Sequence, residues 1–433
     1  MSWVSSAILL FGSALLFMGM GLPVAFAFML CNVIAVLVFV GDPSHLTQII
    51  LNGISILTSN VLISIPLFLL KGSLLFRSGV ARLVFDAFEQ CMGNVRGRLA
   101  YLTVIVGTMY SSMTGSGMAT TAMLGSILVP EMKRRGYKNA LAMGPILGVG
   151  GLAMIIPPAA IAVLLGSLGR IDIGSLLIAG LIPALILAAG YLLTIRIQLW
   201  VKPDLAPIYP VNRLSFLQIL LLLAKNVLPV ILVIVGMVGF LMAGIATPSE
   251  SAAFGCIGML IVCIMYGKLR WDVIVNALQD ALAVTGVVFF LILSSSTFSQ
   301  MVAYSGAAGG IVKWASFAQH ESTVLVIIMI SIVIFLGCFM DAISIMLLCV
   351  PVFMPIVFAM KIDAIWFGIL MLISLEIGTI HPPFGIHLFI MHSMAPRGTP
   401  FRDVVMSAVP FVICDFVVLA LLMAVPQLTW LLR

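Results

Sequence analysis

The sequence predicts an all-α polytopic membrane protein built as an inverted repeat, with about ten transmembrane helices and two re-entrant hairpins. Of its 433 residues, 63% are hydrophobic and only 8% are charged, whereas soluble domains carry about 25% charged residues. Apolar runs such as 228–246 supply the roughly 20 residues that cross a bilayer. The order of segments in the first half also recurs in the second.

Composition excludes several classes of function. The net charge is +6, but the basic residues lie between apolar segments, which is typical of cytoplasmic loops and not of nucleic-acid binding. The seven cysteines have no C-x-x-C spacing, so we interpret them as small apolar residues. No Walker loop, G-x-S-x-G or H-E-x-x-H motif occurs, so we expect neither an enzyme nor an ATP-driven pump.

The first half begins with two predicted spans, at about 4–20 and 24–41. The first lacks the basic start of a signal peptide, so we interpret it as a membrane helix. A long helix at 45–77 follows, with Pro66 as an expected kink. Residues 79–97 alternate apolar and charged side chains at helical spacing, which predicts a helix lying in the membrane interface.

The rest of the first half contains two interrupted segments. In 98–134, two short apolar stretches flank the sequence SMTGSGM at 112–118, and 139–169 is broken at IIPPAA, residues 155–160. A plain span at 174–197 and a polar linker at 198–225 follow. The same order then recurs in segments 226–246, 252–267, 272–303, 305–320, 323–360 (interrupted at 337–344), 363–394 (broken at 381–383) and 404–430.

A constant offset in residue number relates corresponding features of the two halves. The related pairs are Pro130 and Pro355, Pro157-Pro158 and Pro382-Pro383, and Ser116 and Asp341. Duplicated helix breaks of this kind are the best sequence indication of a transporter's binding site.

Loop charge decides between crossings and hairpins at 98–134 and 323–360. Treated as crossings, they leave 13 basic residues inside and seven outside, with Lys71 in the membrane left out. Treated as hairpins, with both termini outside, they leave 16 inside and four outside (Arg170, Lys313, Lys361 and Arg433). Because basic loops favour the cytoplasm, we predict ten spans and one hairpin entering from each face. The 16 inner residues are Arg77, Arg82, Arg96, Arg98, Lys133, Arg134, Arg135, Lys138, Arg196, Lys202, Arg213, Lys225, Lys268, Arg270, Arg397 and Arg402.

Four irregular segments should therefore meet near the membrane midplane: the hairpin tips 112–118 and 337–344 and the breaks 153–160 and 378–385. Irregular backbone at this depth is tolerated where it lines a cavity. Its carbonyls suit a cation, and helix N-termini suit a carboxylate.

The first tip and break offer oxygen ligands. Thr114 and Ser116 supply hydroxyls, 153–156 supplies carbonyls, and Pro157 and Pro158 remove two amide donors. This set predicts a Na⁺ site; the alternative is a kinked helix pair whose hydroxyls are satisfied internally.

The second tip carries Asp341, and intramembrane carboxylates are functional candidates by default. With Ser344 and the carbonyls of 378–381 it forms a second predicted cation site; alternatively, its carboxylate bonds a helix end. Glu376 either holds loop amides or binds an ion or proton. His381 either packs or contacts substrate.

Three further residues have weaker functional indications. His387 and His392 are the less favoured candidates among the histidines. Lys71 is expected to extend its ammonium group to the inner interface.

Four motifs in order resemble the large membrane subunit, of the DctM type, of tripartite ATP-independent periplasmic (TRAP) transporters. They are TGSGMATTAMLGSILVPEM (114–132), IIPPAAI (155–161), GIATPSESAA (244–253) and LEIGTIHPPFGIHLF (375–389). The resemblance covers essentially the whole chain. It implies an ion-transporter-superfamily fold with scaffold and transport domains and an elevator mechanism driven by Na⁺ in the bacterial inner membrane. It also implies a small four-helix membrane subunit (Q type) and a periplasmic substrate-binding protein (P type).

The resemblance implies two sodium sites and a set of substrate contacts. The first sodium site would use Thr114, Ser116, Ala153, Ile156 and Pro158. The second would use Asp341, with Ser344, Gly378, Ile380 and His381. Candidates for substrate contact are Gly117, Pro157, Glu376, His381 and Pro382.

Three positions depart from the family's usual pattern. Thr114 replaces a serine but keeps a hydroxyl, Ala159 replaces a serine and loses one, and His381 replaces a threonine. The domain division that follows assigns 1–97 and 226–320 to scaffold helices with interfacial arms, 98–170 and 321–395 to the transport domain, 171–225 to a scaffold helix and linker, and 396–433 to the C-terminal helix.

We therefore hypothesise Na⁺-coupled uptake of a small organic anion, most simply a carboxylate. One alternative is a carrier of the same superfamily that works alone and is coupled to H⁺ through Asp341, Glu376 or His381. Another is an intramembrane enzyme that uses Asp341 and His381, for which no paired nucleophile is visible.

Overall fold

The computed structural model describes residues 2–41, 60–208, 215–316, 322–382 and 385–431, with single positions at 47, 51, 53, 54 and 58. Within these residues all of the regular secondary structure is helical, and the helices are joined by turns and irregular segments. The predicted all-α class is therefore confirmed. Several sequence predictions fall partly or wholly outside the described residues: most of the helix 45–77 before 60, the middle of the linker (209–214), the end of the second arm (317–320), Arg213, Pro383 and Arg433.

The first half contains nine helices among its described residues. They are α1 (Trp3–Gly19), α2 (Val24–Val40), α3 (Ser64–Arg77), α4 (Val80–Cys91), α5 (Arg98–Thr114), α6 (Gly117–Arg134), α7 (Asn139–Leu152), α8 (Ala160–Gly169) and α9 (Ile173–Val201).

The described residues of the second half contain ten helices. They are α10 (Phe216–Asn226), α11 (Leu228–Met242), α12 (Pro248–Met265), α13 (Trp271–Tyr304), α14 (Ala307–Ser316), α15 (Ser322–Gly337), α16 (Ala342–Ala359), α17 (Ala364–Ile380), α18 (Ile386–Met394) and α19 (Phe401–Ala424).

The helix bounds repeat at the offset that separates Pro130 from Pro355. Helices α6 and α16 begin at Gly117 and Ala342 and end at Arg134 and Ala359, so both of their ends are shifted by this same offset. The first residues of α7 and α17 are related in the same way. The inverted orientation of the two halves stays a prediction.

Two sequence expectations need correction. Helix α3 begins at Ser64, after a 3₁₀ turn at Asn60–Ile63, so the α-helix does not run unbroken from 45 to 77. Pro66 lies in the first turn of α3, where a missing amide donor costs nothing. The expected linker 198–225 contains the end of α9 and most of α10, because Ser215 caps α10 in a capping box. Helix α10 meets α11 at a bend of 55°.

Five of the described helices are long and apolar enough to cross a bilayer alone, or six if the bent α10–α11 pair is one span. The remaining apolar helices are shorter, at 10–17 residues. They include α7, α8, α15 and α17, which belong to the predicted broken helices and to the second hairpin. The number of ten spans stays a prediction.

Two apolar cores hold the helices together. The larger one runs through both hairpins, both broken helices, α9 and α19. The smaller one joins α1, α2 and α13 around the ring contact of Phe28 and Phe298, whose centroids are 4.9 Å apart. Helix α9 packs against α7, α8, α17 and α19. The division into scaffold and transport domains stays a prediction.

An ionic cluster joins the arm α4 to the open end of the first hairpin, where α5 begins and α6 ends. Glu89 pairs with Arg98 at 2.7 Å and also with Arg135, and Glu131 pairs with Arg134 at 2.8 Å. All three arginines belong to the predicted cytoplasmic set. The open end of this hairpin should therefore face the cytoplasm, with its tip directed into the membrane.

The topology can be tested by cysteine labelling. We expect Arg134→Cys to react with an impermeant thiol reagent only from the cytoplasmic side, and Lys361→Cys only from the outside. Both positions are exposed, and the unmodified protein gives the background from its native cysteines. Reaction of both positions from the same face would contradict the two-hairpin topology.

Candidate functional site

The first hairpin tip is a sharp turn between two helices. Gly115 has a φ of +60°, in the left-handed region that glycine adopts without strain. Ser116 then caps α6 by accepting a hydrogen bond from the Ala119 amide at 3.4 Å. A Cβ on Gly115 would lie 3.3 Å from the Ala160 amide nitrogen and 3.7 Å from the Pro158 carbonyl oxygen. The tip therefore lies against the first helix break.

The residues of the first predicted sodium site are partly engaged. Thr114 Oγ1 lies 2.7 Å from Thr120 Oγ1, so its hydroxyl has a partner inside the hairpin. Ser112, close before it in α5, donates to the Pro157 carbonyl at 2.7 Å. The tip and the break are thus joined directly. Thr121 Oγ1 is buried without a hydrogen-bond partner in the described part of the chain.

The second tip has a different chemistry, because its capping residue is an acid. Asp341 Oδ2 accepts hydrogen bonds from the amides of Ile343 (3.1 Å) and Ser344 (3.2 Å), and the Ser344 hydroxyl donates to Oδ1. These are the bonds to a helix end that the alternative interpretation expects. A carboxylate has about four lone-pair sites, so the same group retains capacity for a cation.

The second break meets the second tip through two glycines and a histidine. A Cβ on Gly378 would lie 2.7 Å from the Gly337 Cα, so only glycine permits this approach. His381 Nδ1 lies 3.5 Å from Cys338 Sγ, and the His381 carbonyl accepts from the Gly385 amide at 3.1 Å. Neither His381 nor Pro382 lines the cavity between the tips.

One cavity lies between the two tips and contacts all four irregular segments. The volume available to the centre of a water-sized molecule in this cavity is about 70 Å³. This is several times the roughly 15 Å³ that one water needs. Of the predicted site residues, Ser116, Gly117 and Asp341 line it, together with Thr379 and His387.

Four helices begin at this cavity. Lining residues include Gly117 of α6, Ala160 of α8, Ala342 of α16 and Ile386 of α18, each the first residue of its helix. Helix N-termini carry unpaired amide donors and a partial positive charge. These helix ends would favour an anion, although Asp341 also lines the cavity and no lysine or arginine does so in the described part of the chain.

A second, larger cavity of about 610 Å³ shares Leu69, Ser116 and Val284 with the first. Its other end is lined by the ion pair of Arg77 and Asp280, joined by two bonds of 2.8 Å. Arg77 belongs to the predicted cytoplasmic set, so this cavity would connect the tips to the cytoplasm.

Among the described residues, the hydrogen-bond partner of Glu376 lies in α9 and not in a hairpin tip. Glu376 is fully buried, and its Oε1 lies 2.8 Å from the hydroxyl of Tyr191, which lies 2.5 Å from Asp415 Oδ1. Because a phenol has one hydrogen, a carboxyl group must donate one of these two bonds. A Cβ on Gly151 would lie 2.2 Å from the Glu376 Cγ. Gly151 and Glu376 are equivalent positions of the two halves, so the repeats meet here.

Lys71 does not reach the interface as expected. It is fully buried, and its Nζ donates to the Ser112 carbonyl at 3.2 Å. Gly72 lets α3 approach the tip, since a Cβ there would lie 2.7 Å from the Thr114 Cα. Lysine is rarely buried without a polar partner; here it contacts the backbone of the first tip.

Comparison with protein families decides the classification. The model of the "Tripartite ATP-independent periplasmic transporter, DctM component" matches residues 11–428. The chain belongs to this family. It is therefore a multi-pass membrane protein of a transporter family, as its motifs indicate.

Curated relatives of this DctM component share about a quarter to a third of its residues. The C4-dicarboxylate TRAP transporter large permease protein DctM of Pseudomonas aeruginosa is 30% identical over 85% of each chain. The sialic acid TRAP transporter large permease protein SiaM of Vibrio cholerae is 26% identical over 95% of each. The ectoine TRAP transporter large permease protein TeaC of Halomonas elongata is 28% identical over 86% of each.

Two solved structures share the fold. The YdaH transporter of Alcanivorax borkumensis superimposes with a TM-score of 0.63 at 12% identity, covering 89% of each chain. MtrF of Neisseria gonorrhoeae, an antimetabolite efflux pump, gives 0.64 at 16% identity, covering 89% of this chain and 85% of that one. At identities of 12% and 16%, these similarities show a shared fold and carry no conclusion about function.

Sequence reasoning missed Tyr191 and Asp415 and undervalued His387 in this DctM component. Asp415 had a visible signal: like Asp341, it is an acid within a long apolar run. His387 had a weaker one, since it lies one residue into the helix that follows the second break. Tyr191 had none, because its role depends on two helices distant in sequence.

Proposed function

We propose that this chain is the membrane carrier of a Na⁺-coupled uptake system for a small carboxylate, working by an elevator movement. A periplasmic binding protein delivers the substrate, and a small four-helix subunit completes the membrane part. The carrier resides in the bacterial inner membrane with both termini outside. The names of relatives, which include carriers of C4-dicarboxylates and sialic acid, support an organic anion.

The convergence of four helix N-termini on one cavity carries this proposal. Each N-terminus contributes about half an elementary charge, and the amides that the caps Ser116 and Asp341 leave unpaired offer a carboxylate what a basic side chain would offer. Backbone amides attract a carboxylate without a basic side chain, and the carboxylate of Asp341 is then left to hold the coupling cation.

Coupling Na⁺ ions occupy two sites, one at each hairpin tip. Ser116 and Thr114 with the 153–158 carbonyls form the neutral site, and Asp341 with Ser344 and the 378–381 backbone forms the anionic one. Oxygen ligands of this kind suit a hard cation such as Na⁺. Because both tips also line the anion cavity, a bound cation there would strengthen the hold on the carboxylate, and binding of the two would be coupled.

Reconstitution tests the assignment. The chain is purified with the proposed small subunit, placed in proteoliposomes with an inward Na⁺ gradient, and supplied with the proposed binding protein. A panel of labelled succinate, sialic acid and ectoine is then supplied. We expect uptake of one acid only when all three proteins are present. Equal uptake by the chain alone would contradict a binding-protein-dependent system.

A further inference from the structure

His387 is a buried polar residue that the sodium sites and the hairpin tips leave unused. It is the second residue of α18 and has no exposed surface. Neither Nδ1 nor Nε2 has a hydrogen-bond partner among the described residues. His387 is one of the residues that line the cavity between the tips.

An unpaired buried polar group costs about 1–3 kcal/mol, so native structures rarely leave one without a partner. An imidazole presents one N–H donor and one acceptor when neutral. Packing alone would be served better by leucine at this position. The two free nitrogens therefore point to a bound molecule as their partner.

The surroundings of His387 fix where that molecule lies. A Cβ on Gly117 would lie 3.0 Å from Nε2 and 2.8 Å from Cε1 of the ring, so the imidazole lies directly beside the N-terminus of α6. Only a glycine leaves room for it there. A ligand that contacts the free amides of α6 would be within reach of Nε2.

We propose that His387 binds the transported anion directly, donating a hydrogen bond from Nε2 to its carboxylate beside the N-terminus of α6. The inference rests on the proposed function. It adds a side chain that contacts the substrate to a site where the helix ends supply only backbone amide donors. His387, and not His381, is then the histidine of the substrate site.

Two variants separate contact from packing. His387→Gln keeps an N–H donor, whereas His387→Leu fills the space without one. With the acid that the wild-type system takes up, we expect His387→Leu to raise KM at least tenfold and His387→Gln to raise it about threefold or less. The half-saturating Na⁺ concentration at saturating substrate should stay unchanged in both. His392→Leu, an exposed position on the same helix, is the matched control and should resemble the wild type.

A second measurement keeps the two proposals apart. The melting temperature of the purified chain is recorded with and without each acid of the panel in saturating Na⁺. We expect the transported acid to raise it in the wild type and in His387→Gln but not in His387→Leu. Equal stabilisation and equal KM in wild type and His387→Leu would overturn the role of His387 while leaving the carrier function standing. A wild-type chain that neither takes up nor is stabilised by any of the acids would overturn both.

Discussion

Asp341→Asn is expected to lower Na⁺-driven uptake at least tenfold while the protein stays folded. Asparagine and aspartate are equally good N-caps, so the amide oxygen can still accept from the amides of Ile343 and Ser344. What the variant loses is the negative charge that would hold a cation. A tenfold loss corresponds to about 1.4 kcal/mol, a modest demand on a charged ligand in an apolar surrounding.

Asp363→Asn is the matched control. Asp363 caps α17 through the amides of Ile365 (2.8 Å) and Trp366 (2.9 Å), the same geometry as Asp341, but it does not line the cavity between the tips. Uptake should therefore remain near the wild-type rate. Equal activity of the two asparagine variants would show that Asp341 is only a helix cap.

Ser116→Ala should raise the half-saturating Na⁺ concentration about tenfold, the effect of losing about 1.4 kcal/mol of ion binding. The hydroxyl lies at the first tip, lines the cavity and accepts only a long bond from the Ala119 amide, whereas the Thr114 hydroxyl is paired with that of Thr120. The measurement is initial uptake as a function of external Na⁺ at saturating substrate.

The same variant removes a helix cap, so its control must do so too. Thr247 caps α12 by accepting from the Glu250 amide at 3.3 Å, and it does not line the cavity between the tips. Thr247→Ala should lower the melting temperature by a similar amount and leave the Na⁺ dependence alone. A Na⁺ dependence of Ser116→Ala that matches Thr247→Ala would argue against a sodium ligand at the first tip.

Local pattern was enough to predict most of the helices and both hairpin tips, but not the start of α3 or the helix α10 within the expected linker. The tip at 115–116 follows from two glycines around a serine, and the offset between Ser116 and Asp341 places the second tip at the start of α16. The capping of α16 by Asp341 was also available as an alternative, because acids favour helix N-termini.

Contacts between helices that are distant in sequence could not be predicted from the sequence alone. Glu376 was expected either to hold loop amides or to bind an ion or proton, but the hydroxyl of Tyr191, 185 residues earlier, is its hydrogen-bond partner. Lys71 looked like an interfacial lysine because hydropathy does not report which face of α3 meets the first tip. His387 differs from His392 in burial, which depends on how α18 packs against α6. These features arise from tertiary packing, for which the local sequence carries at most a weak signal.

A Na⁺ gradient is expected to drive uptake, and a comparison of driving forces in proteoliposomes separates this coupling from H⁺ coupling. The complete system, with its binding protein, is given either an inward Na⁺ gradient at equal pH or a pH gradient, acid outside, without Na⁺. We predict accumulation with the Na⁺ gradient alone and none with the pH gradient alone. Accumulation driven by the pH gradient, with no response to Na⁺, would contradict the sodium sites at both tips and would favour H⁺ coupling through the buried acids.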